Sequence, residues 1–256
     1  VFFILLFFYY FFELVKKKNT LSIILFSFIA GLLILLRGEF IAILIISLFY
    51  LLIFFKLSIK NILLIFLITL ITISPYLIRN IIIFEKLTIT KSLGYNLWKG
   101  NNSNSNVEGS ESVDKSLQNK IDKIPEDKFY QINLDKIFLD QAIENIGQEP
   151  KKYLILFAKK MASFLLIDIE STYPDYYHPL HYLPVLLLGI TSLIGIIFSD
   201  KKSYRLNYLI LIFFFNVIIF SSFFILPRYS LIILPLQIIF TNILIQYLRD
   251  KFFHRY

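Results

Sequence analysis

Seven apolar runs dominate this chain, at residues 1–12, 21–36, 40–55, 62–78, 182–198, 206–226 and 229–248. Most approach the roughly 17–25 residues that cross a bilayer, and the first reads as a truncated span beginning partway through a helix. Hydrocarbon offers no water to backbone N–H and C=O groups, so a lipid-embedded run must bond within itself, and a helix is the form that does so. The expected fold is therefore all-α, a polytopic transmembrane helix bundle. Composition agrees: 57% of the 256 residues are hydrophobic and 28 are Phe, far above a soluble domain of this size. The absence of Cys excludes disulfides and thiolate metal sites.

A formal charge of +8 would suit nucleic acid, but Lys and Arg sit mainly in the short loops between apolar runs, which is the pattern of membrane topology. By parity Lys16, Lys17 and Lys18 share a side with Lys56 and Lys60. Lys201, Lys202 and Arg205 likewise share a side with Arg249, Lys251 and Arg255. All are assigned to the cytoplasm, which makes this a multi-pass inner-membrane protein with a cytoplasmic C-terminus. Three parts follow: 1–78 with four spans, 79–181 as a periplasmic or extracellular loop with short helices, and 182–256 with three spans and a tail. The scheme requires that 152–167 lie in the interface, and its pattern supports this, with a tilted crossing helix as the alternative reading. Lys152, Lys159, Lys160 and Ser163 fall on one arc, opposite Leu154, Phe157, Met161, Phe164 and Leu165, with Pro150 near the start. The stretch 101–127 is polar and reads as a loop, while Leu134, Ile137, Phe138, Ala142 and Ile146 mark a short helix beyond it.

Chemistry concentrates on the outer side. Arg37, Arg79 and Arg228 all fall at ends of apolar runs, where a guanidinium can grip a phosphate with two parallel hydrogen bonds or serve as an interfacial anchor. The stretch "GYNLWKGNN" at 94–102 reads as a polar turn with Trp98 at headgroup level, either with Gly94 and Gly100 letting backbone approach a ligand or, equally, as a turn with a Trp anchor and no ligand. Glu39 is the carboxylate set between two apolar runs, as a candidate proton acceptor or as the partner of Arg37. Asp168, Glu170 and Asp175 follow the interfacial helix. His178 and His181 lie near Asp175, but Pro179 between them disfavours regular ligand geometry, so no metal is assigned.

Four stretches resemble one family. "SPYLIRNIIIFEKLTITKSLGYNLWKGNN" is similar to a segment of the bacterial family 39 glycosyltransferases, the group that includes protein O-mannosyltransferases and lipid A aminoarabinose transferases. The matching positions are Pro75, Arg79, Asn80, Gly94, Asn96, Leu97, Gly100 and Asn101. "GLLILLRGEF" with Arg37, "ENIGQEPKKYLILFAKKMASFLL", and "LPRYSLIILP" with Arg228, Tyr229 and Pro235 resemble family segments in the same order. The resemblance implies the membrane fold called GT-C and transfer of a sugar from a polyprenyl-phosphate donor, without a cofactor. The acceptor would be a glycan, lipid or protein outside the cytoplasm, with membrane lipid around the chain and no nucleic acid as partner.

Donor binding would fall to Arg37, Arg79, Asn80, Asn96, Arg228 and Tyr229, with the three arginines converging on one outer cavity. The family's catalytic Asp belongs to a first outer loop that the sequence does not contain, so the catalytic residue is unassigned and Glu39 is the candidate within the chain. An O-antigen ligase or polymerase, or a non-enzymatic transport or assembly subunit, are the competing readings. The topology has a direct check: Cys at Ser105 should react with an impermeant thiol reagent from outside, while Cys at Ser203 should not. Reversed labelling would invert the orientation.

Overall fold

The structure, a computed structural model, describes residues 1–90, 92–200 and 202–253. Lys201 and Arg255, two of the cations assigned to the cytoplasmic side, lie outside the described residues. Among those described, all regular structure is helical: α1 Phe2–Lys17, α2 Thr20–Leu36, α3 Phe40–Ile53, α4 Ile59–Phe84, α5 Leu93–Gly100, α6 Lys115–Ile121, α7 Tyr130–Gln148, α8 Pro150–Leu165, α9 Pro179–Ile197, α10 Tyr204–Ser221, a 3-10 segment Pro227–Ile232, and α11 Leu234–Phe253. Three of the described helices, α4, α9 and α10, are long and apolar enough to cross a membrane, and α2 and α3 are shorter apolar helices. This is a helical membrane protein. The chain divides into two compact units, Val1–Thr90 and Lys91–Tyr256.

In the first unit α2 packs against α1, α3 and α4. Its seam with α4 is made of small residues. A Cβ on Gly31 would stand 2.6 Å from Thr72 Cβ, and the Thr69 hydroxyl donates to the Ser27 carbonyl at 3.2 Å. Small side chains let helix backbones approach closely, which is how helices associate where lipid removes the hydrophobic drive. The successive contacts show α2 and α4 running in the same direction. At one end of this unit Lys18 Nζ donates to the Phe55 carbonyl at 3.0 Å, so the loops after α1 and α3 meet, as parity requires. Ser27 and Ser47 turn their hydroxyls onto carbonyls one turn back, at 2.6 and 2.7 Å, which removes the cost of burying them.

Helix α4 runs past its expected end at Ile78 and through Pro75. A proline inside a helix deprives the carbonyl four residues earlier of its donor. Here that is Ile71, and the Ser74 hydroxyl supplies the missing hydrogen bond at 2.8 Å. The helix stops only at Glu85, whose left-handed conformation (φ 52°) closes it with a backbone bond to Ile81.

In the second unit α9 and α11 pack closely, again through small residues. The Thr191 and Thr241 hydroxyls are 2.9 Å apart, and a Cβ on Gly195 would lie 1.9 Å from the Phe240 carbonyl oxygen. The run expected at 206–226 ends as helix at Ser221, and α11 begins at Leu234 where a span from Tyr229 was expected. Pro227 explains this: Leu226 before it is extended (φ −109°, ψ 148°), and Ile225 N–H bonds to Val107 instead of continuing the helix. Inside the polar stretch, α6 forms behind an Asp114 cap whose carboxylate accepts from Leu117 N at 2.7 Å.

Gly195→Ala should cost about 1–3 kcal/mol of stability, because the new methyl meets backbone that cannot rotate away. Gly147→Ala, on α7 where nothing lies within 4 Å of the new methyl, should be neutral or stabilise by up to about 1 kcal/mol. Thermal melts in detergent read both. Equal melting temperatures for the two variants would contradict the packing described for α9 and α11.

Candidate functional site

The residues singled out from sequence form local pairs. Arg37 Nε pairs with Glu39 Oε1 at 2.6 Å, so the candidate carboxylate is engaged as an ion-pair partner. Asn80 is 1% exposed, and its amide donates to the Thr88 carbonyl at 2.7 Å, pinning the segment that follows α4. Its carbonyl accepts from Arg79 Nη1 at 3.2 Å. Arg79 is exposed and has no carboxylate partner among the described residues. A Cβ on Gly38 would lie 3.6 Å from Ile89, so the ends of α2 and α4 both border the 86–90 return. In the second unit Asn96 turns its amide to Ser92 Oγ at 3.5 Å. Arg228 is exposed beside Tyr229, 5.8 Å from its ring, and that ring packs between Phe220 and Phe224. Arg37 and Arg79 thus belong to one unit, Asn96 and Arg228 to the other.

The stretch at 94–102 is not a ligand-facing turn. It forms most of α5, and Trp98, expected at headgroup level, is 2% exposed with its ring 4.6 Å from Phe138 of α7. Leu117 and Ala142 complete that cluster, so the indole has apolar neighbours on hand and no reason to seek an interface. The two glycines approach protein instead of ligand: a Cβ on Gly94 would stand 2.0 Å from the Asp135 carbonyl oxygen, and one on Gly100 would stand 2.2 Å from that of Phe223.

Lys160 corrects the expected polarity of α8. The helix buries Tyr153, Leu156, Lys160 and Phe164, the last stacked on Phe220 of α10 at 5.3 Å. Lys160 is 0% exposed, and its amine donates to the Gly100 carbonyl at 2.7 Å and to Asn101 Oδ1 at 3.2 Å. Asn101 in turn donates to the carbonyls of Leu97 and Ser222, at 2.8 and 2.9 Å, and its own carbonyl accepts from Asn145 at 3.2 Å. Burial pushes the Lys160 amine down to about 7. A neutral amine carries two N–H donors for these two acceptors, whereas the third donor of an ammonium has no acceptor among the described residues.

Next to this hub lies a cleft of about 40 Å³, walled by the end of α8, the first turns of α9 and the 3-10 segment. Ser163, Asp168, Tyr176, His181, Tyr182, Ser230 and Glu108 contribute its polar edge, Phe164, Ile167, Val185 and Leu226 much of its apolar wall. Asp168 is 5% exposed. Its Oδ1 accepts from Glu170 N at 2.9 Å, and its own N–H donates to the Tyr176 hydroxyl at 2.8 Å. Burial, with Glu108 and Glu170 nearby, raises the Asp168 carboxyl above the usual range, and burial raises the Tyr176 phenol. Both oxygens of Glu108 are occupied by Ser171 and Thr172. In sequence Asp168 was one of three carboxylates after a helix, and nothing local distinguished the buried one. No group of three or more metal-ligating side chains occurs among the described residues. No family model, curated protein or solved structure matches the chain.

The lowered Lys160 value sets a pH dependence. Between about pH 7 and the ordinary lysine range the unfolded chain holds a proton that the folded chain has released, so stability rises with pH across that window. Melting temperature should climb accordingly in the wild type and lose that climb in Lys160→Met. An identical slope in the two proteins would show that Lys160 is charged in the fold.

Proposed function

We propose that the chain is part of a membrane glycosyltransferase that moves a sugar from a polyprenyl-phosphate-linked donor to an acceptor on the non-cytoplasmic side. The observation that carries this reading is Arg79. It stands exposed near the end of an apolar helix long enough to span, held at one nitrogen by Asn80, with no carboxylate to neutralise it among the described residues. A guanidinium fixed at one nitrogen keeps its remaining donors for an incoming anion, and the planar fork matches phosphate oxygens. The segment resembling the family 39 glycosyltransferases has its Arg-Asn pair at this point. The pair divides the work: Asn80 holds the backbone, and Arg79 faces the donor phosphate.

In this mechanism the cation stabilises charge that builds on the departing phosphate, and a carboxylate takes the proton of the acceptor hydroxyl. Glu39 does not fill that second role, since it is paired with Arg37. The first step asked of this chain is donor capture at Arg79.

Charge-assisted hydrogen bonds are worth about 1.5–3 kcal/mol each, equivalent to roughly 10- to 150-fold in donor use. In the full-length protein reconstituted with a polyprenyl-phosphate sugar, Arg79→Ala should lose activity on that scale, and Arg79→Lys should recover only part of it. Lys128→Ala, on an exposed surface, should leave transfer unchanged. Full transfer by Arg79→Ala would overturn the assignment.

A further inference from the structure

We infer that Lys160 makes α8 a proton-sensitive latch: when its amine takes up a proton, the middle of α8 releases the end of α5 and the Asn101 cluster opens locally, while α9 and α11 stay packed. The inference concerns the second unit alone and stands whether or not the chain transfers sugar.

Lys160 lies on the face of α8 that also buries Tyr153, Leu156 and Phe164, and it is 0% exposed. Its contacts, the Gly100 carbonyl at 2.7 Å and Asn101 Oδ1 at 3.2 Å, are neutral acceptors. A neutral amine matches them donor for donor. An ammonium would bring a full charge and a third N–H to a site without a counter-charge, and a buried charge left unpaired is costly. Relief requires α8 to turn until the amine meets water. Other polar ties of α8 lie near its ends, from Lys152 to the Ser103 carbonyl at 3.1 Å and from Gln237 to the Leu165 carbonyl at 3.3 Å. Loss of the middle ties while the end ties hold is a local opening. It strips Asn101 of one partner and loosens the segment at 94–102.

Ionisable groups on the elements around Lys160 are engaged elsewhere or lie far along their helices. Lys99 at the end of α5 pairs with Glu111, and on α8 Lys152 pairs with Glu149 and Lys159 with Glu170. Glu144 of α7 accepts from Gln148. Tyr204, Arg205 and Tyr208 occupy the first two turns of α10, remote from Ser222 at its other end. After α10, Arg228 is exposed and the Tyr229 ring packs between Phe220 and Phe224. Tyr153 stays neutral, its phenol raised by burial. His181 and Tyr182 of α9 border the cleft with Ser163, and Asp168 accepts from Glu170 N.

Burial alone pushes the Lys160 amine down to about 7. In the open state the amine stands in water and keeps its proton up to the ordinary lysine range. Above about pH 7 opening therefore takes up a proton and becomes harder as pH rises; below it both states hold the proton and the dependence ends. The open population should fall about tenfold from pH 6 to pH 8, and about tenfold again by pH 9.

The test is hydrogen–deuterium exchange of the full chain in lipid nanodiscs at pH 6, 8 and 9, with rates corrected for the intrinsic effect of pH on exchange. Peptides from α8 and from 94–102 should gain protection on that scale in the wild type and hold constant protection in Lys160→Met. Peptides from α9 and α11 should stay constant in both. Where Lys160→Met does not fold, Lys160→Gln, which keeps N–H donors without a titrating proton, takes its place. Flat protection of α8 in the wild type overturns the inference. The same slope in the variant also overturns it, since the slope would then belong to His181 or Asp168. A slope shared equally by α9 and α11 does so too, because it reports unfolding of the whole unit and not release of α8.

Discussion

Asn101 is the point on which the second unit depends. Its side chain and carbonyl tie the end of α5, Asn145 of α7, Lys160 of α8 and the Ser222 carbonyl after α10 to one residue. Each such bond contributes only about 0.5–1.5 kcal/mol net, but leaving a buried member unsatisfied costs about 1–3 kcal/mol more, so the cluster holds together or fails together. The geometry depends in turn on Gly100, since any Cβ there would meet the Phe223 backbone. The amide-rich stretch in an otherwise hydrocarbon chain is thus an internal knot of backbone acceptors and side-chain donors.

This knot fixes what lies beside it. With Lys160 and Phe164 on the buried face of α8, Ser163 and the Asp168 segment are carried to the first turns of α9. Tyr176 then bonds the Asp168 backbone, and Glu108 holds Ser171 and Thr172 in place. The result is a carboxylate held by the Glu170 N–H at the edge of a small cleft. In the first unit the corresponding constraint is the small-residue seam of α2 and α4, which sets the two helix ends beside one return segment and leaves Arg79 exposed.

The helices were legible from sequence because a lipid-facing backbone has so few ways to satisfy itself. The apolar runs at 21–36 and 40–55 became α2 and α3 almost residue for residue, and Pro150 opens α8 as read. Ends were less legible. The fourth run reads as ending at Ile78, and the Ser74 hydroxyl, bonded to Ile71, explains how α4 carries on through Pro75. Burial of single polar residues was least legible of all. Lys160 sits among the cations of an amphipathic pattern, and its partners lie about sixty residues away, beyond any local periodicity. Trp98 was misplaced for the same reason, its pocket being supplied by α6 and α7. Asp168 stood in plain view but shared its surroundings with Glu170 and Asp175.

We propose that this membrane protein seats a lipid phosphate on Arg79. A cryo-EM structure of the full-length protein in nanodiscs containing polyprenyl phosphate tests it most directly. Phosphate density is expected within hydrogen-bond reach of the Arg79 guanidinium, with Asn80 still bonded to the Thr88 carbonyl. Phosphate bound elsewhere, with Arg79 turned to solvent or paired with a carboxylate, would contradict it.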